Sequence, residues 1–96
     1  MRPAVVLAAA GRGDWILCQI TSNPYADTRA VFLESTSFST GSLRIVSFAR
    51  PGKLFTANER LIISEVGTLT TEAFEQVLKA VEKLLRAPVQ GVEGNP

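Results

Sequence analysis

Only one stretch of this sequence carries a helical period, and it lies near the C-terminal end. Phe74, Val77, Leu78, Val81, Leu84 and Leu85 recur at spacings of three and four, which puts them on one stripe of an α-helix. Thr70 stands ahead of them as an N-cap, and Glu72 and Glu75 fall in the early turns, where the helix dipole favours acids. Glu75 with Lys79 and Glu82 with Arg86 are spaced to pair along the exposed side. Arg86 suits the last turn, and Pro88 stops the helix. A lone amphipathic helix cannot bury its own stripe. The residues before it must therefore supply the surface that covers it.

Those residues read as short strands separated by turns. Residues 3–9 are continuously apolar, Gly11-Arg12-Gly13-Asp14 is a turn cluster, and residues 15–20 are a second apolar run, so the pair reads as a hairpin buried on both faces. Thr21-Ser22-Asn23-Pro24 breaks the pattern, because Pro24 restricts Asn23 and all four residues favour turns. Residues 29–34 resume a strand, 35–42 read as a hydroxyl-rich loop, and 43–49 as a further strand. Arg50-Pro51-Gly52-Lys53 has the residues of a type II turn. A short strand at 54–56, a turn at 57–60 and a last strand at 61–66 follow. The expected fold is mainly β with a C-terminal helix, a small curled sheet or partial barrel whose open face the helix covers.

Length sets the domain count. Ninety-six residues make one domain, here residues 1–86, followed by a polar, Pro- and Gly-containing segment at 87–96 that reads as a flexible tail. No apolar run approaches the length of a membrane span, and residues 3–10, with only Arg2 ahead of them, lack the layout of a signal peptide. Cys18 is the single cysteine, so no internal disulfide forms and a reducing cytoplasm is the expected location. With 46% hydrophobic residues the chain has apolar surface to spare for a subunit interface.

The missing residue types exclude more chemistry than the present ones suggest. The chain has no histidine, so a Ser-His-Asp or Cys-His pair cannot be built. One cysteine and no histidine leave no zinc set, and the acids before residue 70 are too scattered for a two-metal site. Gly11-Arg12-Gly13 lacks the third glycine of a nucleotide-binding turn. Six of the seven cations before residue 70 are arginines, against five acids. Arginine, hydroxyl and backbone groups remain, a combination suited to holding charge on a phosphate.

Arg2-Pro3 with the apolar residues after it, Gln19-Ile20-Thr21-Ser22, Gly41-Ser42-Leu43, the 50–56 segment and Gly67-Thr68-Leu69-Thr70-Thr71 with its helix occur in one order. As a set they resemble the MazF/PemK family of toxins from bacterial toxin–antitoxin systems, over roughly residues 2–86. The resemblance implies a small SH3-like β-barrel of the CcdB/PemK type, a cytoplasmic homodimer and a growth inhibitor. The implied activity is that of an endoribonuclease, a hydrolase needing neither metal nor cofactor. In that chemistry the 2′-hydroxyl of single-stranded RNA attacks the neighbouring phosphate, leaving a cyclic phosphate and a 5′-hydroxyl end. The implied partners are the RNA, a cognate antitoxin protein and, through the antitoxin complex, operator DNA; no membrane is involved. Members carry a strand and loop ahead of the Arg-Pro pair, so a chain beginning at Met1-Arg2 is expected to be N-terminally truncated relative to them.

Carried over residue by residue, the resemblance makes Arg2 a catalytic group, Thr21 the hydroxyl that holds the phosphate and Arg50 a second catalytic arginine. Ser22, Asn23 and Lys53 become substrate-binding residues. An arginine stays protonated at any ordinary pH, so Arg2 and Arg50 take electrostatic and proton-donating roles. The general base is left unnamed, because nothing in the sequence places Asp27 or Glu59 near them. Without a functional role, Arg2 is a solvated terminal cation, Thr21 and Ser22 are turn residues, and Arg50 flanks a turn. Trp15, Phe32, Phe48 and Phe55 fit core or dimer packing better than base stacking, and Cys18 reads as a small buried hydrophobe. The alternative to an enzyme is a non-catalytic binding module on the same fold, holding nucleic acid or an antitoxin-like peptide.

Overall fold

Two glycines and an arginine in left-handed backbone set the first hairpin. Strand β1 (Ala4–Gly11) pairs with β2 (Asp14–Thr21) so that Gly11 lies opposite Asp14, leaving Arg12 and Gly13 as a two-residue loop. Both loop residues have positive φ, 57° and 79°, the type I′ geometry that matches the twist of a hairpin. The computed structural model describes residues 2–62, 64–89 and 91–94. Met1, and with it the reading of the chain's start, lies outside the described residues, as do Ile63 and, in the tail, Gln90, Asn95 and Pro96.

The four-stranded antiparallel sheet runs in the order β1-β2-β5-β3, with β3 at Val31–Leu33 and β5 at Ser47–Asn58. Strand β5 corrects two expectations. It begins at Ser47 rather than Leu43, and it passes straight through Arg50-Pro51-Gly52-Lys53, where the residues suggested a type II turn. Cys18 lies opposite Leu54 and Ile20 opposite Ala49, so β5 carries extra residues at this point and bulges instead of reversing. Proline has no N–H for the ladder and is tolerated at a bulge. The same dipeptide that starts a turn thus bends a continuous strand.

Residues 35–42 are not a plain loop. A 3-10 turn at Ser35–Ser37 leads into β4 (Phe38–Gly41), which pairs with β6 (Gly67–Leu69) as a second, two-stranded sheet. The strand expected at 61–66 is absent among its described residues. A 3-10 turn covers Glu59–Leu61, and Leu61, Ile62 and Val66 are exposed, so the described apolar residues of this run are not packed into the core. Gly41, at φ 66°, lets β4 approach β6 where a Cβ would collide with the Val66 carbonyl.

Helix α1 (Thr71–Leu85) follows β6 at once, and the Thr70 hydroxyl accepts the Ala73 N–H at 3.1 Å as the expected N-cap. Its Ala73, Val77 and Val81 are buried, with Phe74 packed beside them, whereas Leu85 of the expected stripe is exposed. Arg86 and Glu82 pair at 3.1 Å; the Glu75–Lys79 pair does not form. Val77 and Val81 meet Val5, Cys18, Ile20, Leu33 and Ala49 of the sheet in one core. The architecture is a curled antiparallel half-barrel closed by one helix.

Burial also corrects the first hairpin. Val5 is buried but Val6, Ala8, Ala9 and Ala10 are exposed, so β1 is covered on one face near its start and on neither face toward the hairpin turn. Val6 lies opposite Leu17 and Leu17 opposite Phe55, which lines up an apolar row on the side away from the helix. Phe32 and Phe55 are both about half exposed and do not belong to the core; Phe32 stacks at a tilt on Phe48 with centroids 5.7 Å apart. Cys18 is fully buried, as expected. No helix among the described residues is long and apolar enough to cross a membrane.

Candidate functional site

The chain ends of β1 and β2 bring the first candidates together. Ile20 N–H donates to the Pro3 carbonyl at 3.1 Å, so the backbone beside Arg2 is tied to the end of β2 and is not a loose terminus. One residue beyond Ile20, Thr21 closes β2, and Ser22 and Asn23 turn the chain across the mouth of the sheet. Arg2, Thr21, Ser22 and Asn23 therefore line one cleft of about 450 Å³. Its far wall comes from the segment before β5, with Leu43, Arg44 and Ile45, and from Ser47 at the start of that strand.

Among the described residues that line this cleft none is acidic, and two are arginines. Its apolar walls, from Pro3, Ile20, Leu43 and Ile45, lower the local dielectric and strengthen what those charges do to an anion. Thr21 is buried and its hydroxyl is engaged locally: it donates to the Asn23 carbonyl at 3.1 Å and accepts the Asn23 N–H at 3.2 Å. Asn23 Oδ1 accepts the Tyr25 N–H at 2.9 Å, which leaves the side-chain amide's two donors free of protein partners among the described residues. The cleft thus offers hydroxyl, amide and guanidinium donors and no competing acid.

Tyr25 is the residue that sequence reasoning missed. The Asp27 N–H donates to the Pro24 carbonyl at 2.9 Å, and the two residues between, Tyr25 and Ala26, have φ of 52° and 61°. Two consecutive non-glycine residues in left-handed backbone cost on the order of 1–2 kcal/mol each. The turn sets the Tyr25 ring, 60% exposed, on the rim of the cleft. Asn23-Pro24 signals a turn here, but no local pattern announces a left-handed tyrosine. Arg44 and Ser47 join Tyr25 in the lining without a signal in the sequence: a strand pattern over 43–49 gives neither a role, and Arg44 lies in the loop ahead of β5 while Ser47 begins that strand.

Arg50 and Lys53 are placed differently. The β5 bulge carries both into a second cleft of about 310 Å³, with Asp27, Arg29, Gly52 and Leu84. Arg50 Nε donates to Asp27 Oδ2 at 3.1 Å, and its guanidinium lies 5.6 Å from the centre of the Tyr25 ring. The structure therefore groups Arg2 with Thr21, Ser22 and Asn23, and sets Arg50 next door, separated from them by one aromatic ring. The Arg29 backbone N–H and the Arg50 side chain hold the Asp27 carboxyl below its ordinary range, so it stays ionised and bound to them. Glu59 sits at the opposite end of β2, where its N–H donates to the Gly13 carbonyl at 2.7 Å. Neither acid reaches the first cleft as a base.

Burial pushes the Cys18 thiol up to about 11, and its Sγ donates to the Arg50 carbonyl at 3.1 Å, a carbonyl released from the ladder by the bulge. The thiol is a structural donor and not a nucleophile.

Comparison with known proteins agrees with this architecture. The family model for the PemK-like, MazF-like toxin of type II toxin–antitoxin systems matches residues 1–85. Among solved structures, the crystal structure of MazE-MazF (form I) from Deinococcus radiodurans is similar with a TM-score of 0.70 at 19% identity, covering 88% of this chain and 83% of that one. Form III of the same complex gives a TM-score of 0.69 at 19% identity, over 88% of this chain and 84% of that one. No curated protein matches the chain.

Proposed function

Because this chain belongs to the family of PemK-like, MazF-like toxins of type II toxin–antitoxin systems, we propose that it cleaves single-stranded RNA in the cleft that joins Arg2 to Thr21. The 2′-hydroxyl on the 5′ side of the scissile bond attacks the phosphorus, the 5′-oxygen leaves, and a cyclic phosphate and a 5′-hydroxyl remain. The observation that carries this reading is the convergence of a guanidinium and a hydroxyl on one acid-free pocket. As the phosphorus becomes pentacovalent its oxygens gain charge, and Arg2 with Arg44 stabilises that charge while Thr21, Ser22 and the Asn23 amide fix the phosphate. Arg2 also hands a proton to the leaving 5′-oxygen and regains one from solvent, which takes up the proton of the attacking 2′-hydroxyl. Arg50, bound to Asp27 and stacked on Tyr25, acts here as a positioning residue that holds the rim of the cleft.

In the same reading the protein works as a homodimer through the apolar row of Val6, Leu17 and Phe55, and a cognate antitoxin covers the cleft. The Deinococcus relatives, solved as MazE-MazF complexes, support an antitoxin partner.

The test is direct. Purified protein mixed with single-stranded RNA in EDTA yields discrete fragments bearing cyclic phosphate and 5′-hydroxyl ends, and a 2′-deoxy substitution at the cut site blocks the cut there. Arg2→Ala and Thr21→Ala each lower kcat/KM by about 100-fold or more, the scale of losing one transition-state donor. RNA left intact by the wild-type protein overturns the catalytic reading. Binding without cleavage moves the assignment to a non-catalytic module.

A further inference from the structure

The second cleft has the makings of a binding site in its own right. Three cations face one carboxylate there, and Asp27 uses both its oxygens within the protein: Oδ1 accepts the Arg29 N–H at 3.0 Å and Oδ2 accepts Arg50 Nε at 3.1 Å. Arg50 spends only its Nε on that pair, so its terminal amino groups, which form the open end of the fork, have no protein partner among the described residues. Nor, among those residues, does the Arg29 guanidinium or the Lys53 ammonium have a side-chain hydrogen bond or ion pair. Asp27 thus balances one of the three positive charges and leaves two uncommitted. Gly52 lies among these groups, and a Cβ added to it would meet nothing within 4 Å, so the cleft is open where the cations face it.

Continuity argues for the kind of anion. Tyr25 lines the first cleft while its ring packs against Arg50 of the second, so the two pockets share a wall whose exposed part is aromatic. Phosphates joined by bases match that alternation: an anion in each cleft and a flat apolar group on the ring between them. Guanidinium groups favour phosphate oxygens over more diffuse anions because their N–H donors match the spacing of two oxygens. Base stacking on an exposed tyrosine is indifferent to sequence and suits a single strand.

We propose that the Arg29–Arg50–Lys53 cleft is a backbone-phosphate subsite for the single-stranded RNA whose scissile bond lies in the Arg2–Thr21 cleft, with Tyr25 stacking a base between the two. This rests on the RNA-cleaving reading above and extends it, by giving the bulge in β5 a ligand.

A single-stranded oligoribonucleotide methylated at every 2′-oxygen lacks the nucleophile and so reports binding alone. Its affinity for the full chain, measured by fluorescence anisotropy over a series of salt concentrations, separates the terms. Arg29→Ala and Lys53→Ala each weaken binding and lower the slope of log K against log salt by ~0.7, the loss of one phosphate contact on a single strand. Tyr25→Ala weakens binding about tenfold with the slope unchanged. Gly52→Asp places a carboxylate in the open space among the cations and weakens binding at least about tenfold, whereas Gly52→Ala binds as the wild type does. Equal melting temperatures for the two Gly52 variants show that charge and not misfolding is read.

Affinity and salt slope unchanged in Arg29→Ala, Lys53→Ala and Gly52→Asp overturn the subsite and leave the catalytic reading standing if unmodified RNA is still cut. Variant-sensitive binding with no cutting of unmodified RNA keeps the subsite and removes the catalysis. A wild-type protein that binds no oligonucleotide removes both.

Discussion

Single residues here act through the company the fold gives them. Cys18 and Asp27 illustrate opposite cases. Burial raises the Cys18 thiol from an ordinary value of 9.0 to about 11, so its neutral form favours the folded state; that stability is complete below about pH 9 and is lost as pH rises toward 11. The Arg29 N–H and the Arg50 guanidinium hold the Asp27 carboxyl below its ordinary 3.8, so its charged form favours the fold; that stability is present above about pH 4 and is lost as pH falls through the folded value. Urea denaturation across pH is expected to show a plateau between these limits. Cys18→Ala flattens the alkaline fall, and the gap between wild type and Asp27→Asn closes on the acid side. Thr21 shows why a motif is not yet a geometry: its neighbours in sequence announced a turn, but only the Ile20–Pro3 bond shows that this turn faces Arg2. Tyr25 had no such announcement, because a positive φ at tyrosine is imposed by the surroundings and written in no local preference.

Elements were legible in proportion to how locally they are determined. Helix α1 depends on a cap one residue before it and on a period of three and four, so Thr70, Val77 and Val81 could be assigned from the sequence. The type I′ hairpin turn is equally local, since Gly11-Arg12-Gly13 has few other uses. Strand β5 was read as two strands and a turn, because Pro51-Gly52 serves a turn and a bulge equally well and the choice falls to its partner β2, far away in sequence. The 61–66 run differs for the opposite reason: its apolar side chains promise burial, yet Leu61, Ile62 and Val66 among its described residues stay exposed. Gly41 offers a test at this scale. Gly41→Ala brings a methyl group against the Val66 carbonyl in a backbone conformation that alanine resists, and is expected to cost about 2 kcal/mol or more by chemical denaturation. The same change at Gly52, where space is open, costs little.

For the whole molecule, the helix covers one face of the sheet and leaves the other with an apolar row. Val6 and Phe55 are each more than 40% exposed on either side of Leu17, an arrangement a monomer gains nothing from. Phe55→Arg is therefore expected to halve the mass seen by analytical ultracentrifugation, from a dimer to the 10.4 kDa chain, without lowering the helix signal in circular dichroism. A wild-type protein that already sediments as a monomer refutes that assignment. Ile20 serves both the core and the wall of the first cleft, but the polar groups of that cleft come mostly from turns and segment ends, which is why composition and periodicity disclose the fold more fully than the chemistry.

The central position of β5 has a consequence for synthesis. Arg2 and Thr21 emerge from the ribosome early, but the strand that joins β2 to β3 is not complete until Asn58, and the far wall of the cleft is added just before it. A nascent or prematurely terminated copy holds Arg2 and Thr21 without the walls that complete the cleft. On the RNA-cleaving proposal, translation itself would impose a delay before the protein could act on the transcripts around it.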